Sequence, residues 1–299
     1  MTRERLWAFQ HRAAPYVFVS PFVVLFCVFL LYPLARSLVL SMYKTAGPEN
    51  EKFVGLANYA FLLTDPLFWW SVLNTSLFTV AFLVIQIPVS LGLAVLLNNR
   101  RVRFRGAFRF AFFSTHLVGP DFVAVLFSIL LNARQGLLNQ VIGAVVGTPV
   151  QINWLGSPYL AMTSVLLAAL WLGIGWGMIY FLAALQAVDL ELYDAASVDG
   201  AGKWQQFLHV TLPGIRPVLV FMILIGSIGA FQLFELPYVL FNGPGPAQSA
   251  LTIVMYLFAT GFEAGDLGYA AAIGWLLVLI LFGLALLQLK LFKAGRDDA

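Results

Sequence analysis

Long apolar runs alternate along this chain with short polar connections. Read as one element each, the runs predict helices over 16–42, 69–97, 108–131, 159–186, 217–241 and 267–292. Each is long enough to cross a bilayer, which takes ~20 apolar residues in helical form. They are too long and too continuous for barrel strands. A backbone inside lipid must satisfy its own hydrogen bonds, so helices are expected. Two further apolar stretches, 137–147 and 249–262, are too short to cross and read as interfacial or re-entrant segments on the external side. No soluble domain, internal repeat or low-complexity segment interrupts the pattern. The organisation expected is a tail over 1–15, a transmembrane domain over 16–292 and a second tail over 293–299.

Composition supports this. Hydrophobic residues make up 61% and charged residues 10% of 299, and the mean hydropathy is +0.88. A soluble domain carries about 25% charged residues, so this chain has too few to coat a water-exposed surface. The first run follows Arg3, Arg5 and Arg12, as in a signal peptide. It is too long for one and has no small-residue cleavage site, so it reads as a retained anchor.

Charge sets the expected orientation. If the N-terminus is cytoplasmic, the same side holds Arg100, Arg101, Arg103, Arg105, Arg109, Lys203, Arg216, Lys290, Lys293 and Arg296. The other side holds Lys44, Lys52 and Arg134, while Arg36 lies within the first run, where it could snorkel outward. Both termini are therefore expected to be cytoplasmic. Topology accounts for the formal charge of +3 without nucleic acid as a partner. The Arg100–Arg109 cluster reads first as this topology signal and second as a site for an acidic partner or anionic lipid.

Few residues offer chemistry. Cys27 is the single cysteine, and His11, His116 and His209 show no ligand spacing, so no metal site is expected. There is no G-x-x-x-x-G-K-[ST], nucleophile elbow or catalytic cluster, so an enzyme is not expected. Gly173-x-Gly175-x-Gly177 lies in an apolar helix with no strand before it, which favours helix packing over nucleotide binding. Asn74 and Gln86 are expected to hydrogen-bond between helices. Asp121, after Gly119-Pro120, either lines a pathway or relieves a helix break. Gln232, Glu235 and Tyr238 fall one turn apart on one face of the fifth run, and carboxamide, carboxylate and aromatic groups together suit a sugar. The alternative is that Glu235 meets water at the outer interface.

The loop 188–216 is unusual for a membrane protein. It reads as two short helices around a glycine. Asp189 is a plausible N-cap, and Leu192, Ala195, Ala196 and Asp199 share one face. Gly200 permits a turn that a Cβ would obstruct. Trp204, Phe207 and Leu208 give the second helix an apolar face, and Pro213 and Pro217 precede the fifth run. Such a hairpin should dock on something, with Ala195, Ala196, Gly200 and Ala201 allowing close approach.

Asp194-Ala195-Ala196-x-x-x-Gly200, followed after nine residues by Val210-x-Leu212-Pro213, resembles the EAA motif of binding-protein-dependent ABC importer permeases. Asp194 and Val210 stand where that family has glutamate and isoleucine. Phe29–Ser41, Phe53–Tyr59 with Asp65, Phe68-Trp69 and Asn74-Thr75, then Phe231–Phe234, Tyr238–Leu240, Gly243–Gly245 and Gly268–Ala272, are similar to the sugar-importer branch, of maltose and glycerol-phosphate type. The resemblance implies an all-α transmembrane fold, a six-helix type I permease domain, in a bacterial inner membrane. It implies that the hairpin couples to a separate ATPase through Asp194, Ala195, Ala196, Gly200, Trp204, Phe207, Leu212 and Pro213. ATP and Mg would be bound by that ATPase, present in two copies. A second, non-identical permease and an extracytoplasmic solute-binding protein complete the implied assembly. The rival reading is a secondary transporter driven by an ion gradient, for which repeated halves and mid-membrane ionisable residues would be expected.

Overall fold

The computed structural model describes residues 3–47, 51–99 and 101–297. Arg100, named above among the basic residues, lies outside them. The chain divides into two compact units, Met1–Asp65 with Leu257–Leu276, and Pro66–Tyr256 with Leu277–Ala299.

In the first unit, α1 (Arg3–Phe26) runs through a π-turn (Cys27–Leu31) into α2 (Tyr32–Leu40). The wide turn has a cause in the sequence. Pro33 has no N–H to donate and its ring crowds the carbonyl four residues back, so Tyr32 N reaches to Cys27 O instead. Helix α1 already begins at Arg3, ahead of the predicted start at 16. A hairpin of β1 (Tyr43–Thr45) and β2 (Glu51–Phe53) follows, with Lys44 opposite Lys52. Arg36, expected to snorkel, pairs with Glu51 at 3.5 Å; at this exposure the pair contributes little.

Helix α3 (Ala57–Thr64) is tied down by Asn58, whose Nδ2 donates to Ser41 O and Tyr43 O, both at 2.8 Å. Asp266 caps the start of the last helix, accepting from Tyr269 N at 3.0 Å, and its Oδ1 also accepts from Thr45 N. A Cβ on Gly268 would lie 1.8 Å from Tyr43 O, so only glycine fits there. Tyr269 Oη donates to the buried Asp65 Oδ2 at 2.6 Å. The 53–59, Asp65 and 268–272 stretches, far apart in sequence, thus meet in one place.

The second unit is built on α4 (Pro66–Asn98). It is followed by α5 (Arg105–Ser114) with a 3-10 turn (Thr115–Leu117), α6 (Pro120–Leu130), α7 (Leu137–Val146) and α8 (Pro158–Gln186). Helix α8 packs closely on both α4 and α5 because it presents glycine. A Cβ on Gly175 would fall 1.8 Å from Phe112 O, and one on Gly177 2.4 Å from Gln86 Nε2. Gln86 Nε2 donates to Gly173 O and Ser90 Oγ to Ile174 O, so the helix-packing reading of these glycines and the interhelical role of Gln86 both hold. Arg109 turns partly inward and donates to Leu97 O at the C-terminal end of α4, where helix carbonyls favour a cation.

Two predicted spans need correction. The run 108–131 is not straight: Arg105–Leu117 and Pro120–Leu130 meet at 100°, because Gly119-Pro120 interrupts the hydrogen-bond ladder. The run 217–241 is broken. After α9 (Leu190–Val198), α10 (Lys203–Gln206) passes through a π-turn (Phe207–Thr211) into α11 (Leu212–Phe231), which stops before α12 (Glu235–Phe241). The second helix of the expected hairpin therefore continues into the fifth span, its π-turn placed just before Pro213, as the earlier one precedes Pro33. The break at 232–234 is held open by Thr252, whose Oγ1 donates to Leu233 O at 2.7 Å.

A 3-10 turn (Pro246–Gln248), α13 (Ile253–Phe258) with a π-turn (Ala259–Glu263), and α14 (Leu267–Asp297) complete the chain. The helices in 137–147 and 249–262 are too short to cross a membrane, as expected. Among the described residues five helices are long and apolar enough to cross, or six when the bent pair counts as one span.

Candidate functional site

The loop after α8 is a helix with both ends closed by its own sequence. Asp189 is extended (φ −63°, ψ 130°) and its side chain accepts from Glu191 N at 3.0 Å, which satisfies an orphan donor of the first turn. At the other end Gly200 takes φ +80°. Gly200 N donates to Ser197 O and Ala201 N to Ala196 O, at 3.1 and 2.9 Å. This is the paired closure that requires a left-handed residue just past the helix. Gly202 opens α10, its N–H donating to Gln205 Oε1 at 2.8 Å.

The two helices are then pinned together. Gln206 Nε2 donates to Ser197 Oγ and Ala201 O, and Tyr193 Oη bonds Thr211 Oγ1 at 2.9 Å. Asp194, Ala195 and Gly200 are exposed and Ala196 is half-buried. Trp204 is 69% exposed and stacks on Phe207 at 5.6 Å between ring centroids. Leu212 is half-buried and Pro213 exposed. A groove of about 260 Å³ runs between the helices, lined by Ala196, Gly200, Ala201, His209 and Val210. The hairpin is thus a rigid, exposed platform with small residues at its turn and an indole at its side.

A second arrangement lies at the two breaks in the spans. A cavity of about 430 Å³ is lined by Gln232, Phe234 and Glu235 from one break, His116 and Pro120 from the other, and Trp176 from α8. The Gln232 and Glu235 side chains are exposed to it. The predicted face of Gln232, Glu235 and Tyr238 does not form as one helical stripe, because the helix stops between the first two. Tyr238 lies outside the cavity lining and stacks on Phe234 at 5.1 Å. Asp121 sits in the first turn of α6, exposed, and is not among the lining residues. It lies just after the bend at Gly119-Pro120.

His116 and Trp176 are residues that sequence reasoning missed here. Their rings lie 5.9 Å apart, and Trp176 stands 4.7 Å from Tyr180. One signal was available: His116 is a polar residue in an apolar run, just before Gly119-Pro120. Aromatic faces beside a carboxamide and a carboxylate can hold a polyhydroxylated ligand by apolar contact and directional hydrogen bonds.

Residues 11–292 match the family described as "Binding-protein-dependent transport system inner membrane component". The arabinooligosaccharides transport system permease protein AraP of Bacillus subtilis (strain 168) is 38% identical, over 97% of this chain and 92% of its own. The lactose transport system permease protein LacF of Rhizobium radiobacter is 36% identical, over 94% of each. In fold, the chain is similar to a crystal structure of a bacterial ABC transporter involved in import of the acidic polysaccharide alginate. The TM-score is 0.83 at 22% identity, covering 97% of this chain and 99% of that one.

Proposed function

The chain belongs to the binding-protein-dependent transport system inner membrane components, and from that premise we propose that its cargo is a sugar or oligosaccharide. The observation that carries this is the likeness over nearly the whole chain to permeases named for arabinooligosaccharides and lactose. The cavity supports it, since Gln232, Glu235 and the surrounding rings suit a saccharide. Asp121 and Tyr238 remain candidates for the pathway only beyond this cavity.

Import is powered from outside this chain. The α9–α10 hairpin docks on a separate ATPase subunit, two copies of which bind ATP and Mg. A second, similar permease completes the pathway, and an extracytoplasmic solute-binding protein delivers the cargo. Both termini face the cytoplasm, with the hairpin on the same side. What supports the docking role is a platform closed at Asp189 and Gly200 that leaves Asp194, Ala195 and Trp204 exposed.

The test is co-purification of the ATPase with wild type, Asp194→Ala and Trp204→Ala. Removing one partner of a fully buried ion pair costs roughly 3–5 kcal/mol, and exposed aromatics often become interface anchors. Both variants should insert normally and lose the ATPase. Wild-type retention in both would remove the coupling assignment.

A further inference from the structure

A second cavity, of about 580 Å³, is lined by Trp70, Asn74 and Phe78 of α4, Tyr159 and Thr163 of α8, and Ala247 and Ser249 of the 246–249 segment. It shares Phe78 with the Gln232–Glu235 cavity. Phe78 is 3% exposed and stacks on Phe82, ring planes 12° apart, so the two spaces adjoin at a buried aromatic pair.

The segment lining the wider cavity is strained. Ala247 and Gln248, neither a glycine, both take positive φ, at 50° and 59°. Such a residue persists only where its surroundings fix it. Here Trp70 Nε1 donates to Gln248 O at 3.3 Å, and Asn74 Nδ2 to Gln248 O and Leu251 O at 3.2 and 3.1 Å. The cavity's lining mixes apolar and polar side chains. Trp70 and the 91% exposed Tyr159 give it two aromatic side chains, and Thr163 and Ser249 two hydroxyls.

We propose that this cavity is a second saccharide subsite in series with the first across Phe78, so that the pathway holds an extended oligosaccharide rather than one sugar unit. The inference rests on the sugar reading above and adds a length preference to it.

The test measures uptake by the complete transporter of graded saccharides, from di- to pentasaccharide, in arabino-, malto- and galacto-series. Variants are Trp70→Leu, Tyr159→Leu, the pair, and Trp70→Phe, which keeps a ring but loses the bond to Gln248. The paired variant should lose on the order of tenfold in apparent affinity for tetra- and pentasaccharides, ~1.4 kcal/mol, with disaccharide uptake nearly unchanged. Trp70→Phe should stay close to wild type. An equal loss at every length would mean that these residues only support the loop, and would overturn the subsite. So would unchanged uptake of the long chains, or a wild type confined to disaccharides. A wild type importing no saccharide of any series would overturn the sugar reading itself, and the subsite with it.

Discussion

Gly200 is the position where a side chain as small as a methyl group should change the hairpin. Its φ is +80°, and an added Cβ would meet nothing within 4 Å. Crowding therefore adds nothing, and the penalty is conformational: roughly 1–2 kcal/mol for an L residue held left-handed, and more for a β-branched one. That is about 5–30-fold in the equilibrium between closed and open turn. Asparagine tolerates this conformation better and should recover much of the loss. The bond from Ala201 N to Ala196 O reports the closure. Hydrogen–deuterium exchange should show Ala201 protection falling about 5–30-fold in Gly200→Ala and further in Gly200→Val, with partial recovery in Gly200→Asn. Amides in the middle of α8 should not change. ATPase retention should follow the same order, because only the closed hairpin is competent to dock. Equal protection in all four proteins would refute the reasoning.

Glycine replacements in the spans should separate crowded from open positions. Gly175→Ala places a Cβ 1.8 Å from Phe112 O and should lower thermal stability by an amount typical of overpacking, about 1–3 kcal/mol. Gly92→Ala, with nothing within 4 Å, should be neutral or slightly stabilising in the same melt. Tyr269→Phe removes the donor to the buried Asp65 Oδ2. It should cost about 1.5–3 kcal/mol, as for hydrogen bonds to charged groups, in a thermal-shift measurement. Gln232→Ala and Glu235→Gln should change saccharide uptake while the ATPase is retained; Tyr238→Phe, outside the cavity lining, should change it less.

The parts of this fold that depend on local chemistry were legible in the sequence. Asp189 and Gly200 mark the two ends of one short helix by residue type alone. Gly173, Gly175 and Gly177 mark a close helix contact because small residues in an apolar run have few other uses. The break at 232–234 was not legible. Its residues, Gln232-Leu233-Phe234, include neither glycine nor proline, and the apolar run reads through it. The break depends on Thr252 reaching Leu233 O from a distant stretch. For the same reason the carboxamide, carboxylate and phenol that periodicity placed on one face are divided. The bend before α6 was partly legible, since Gly119-Pro120 stands at it, but a 100° change of direction is set by packing. His116 and Trp176 join the cavity through tertiary structure, which no spacing along the chain encodes.

The central claim is that this chain carries a saccharide across the membrane at the expense of ATP hydrolysed by a separate subunit. The most direct measurement is uptake of radiolabelled oligosaccharide into proteoliposomes holding the complete complex, with ATP on the ATPase side and the solute-binding protein on the other. No ion gradient is imposed. The account predicts accumulation that stops when ATP, the ATPase or the solute-binding protein is withheld. Accumulation by the permease without the ATPase, driven by a proton or sodium gradient, would contradict it.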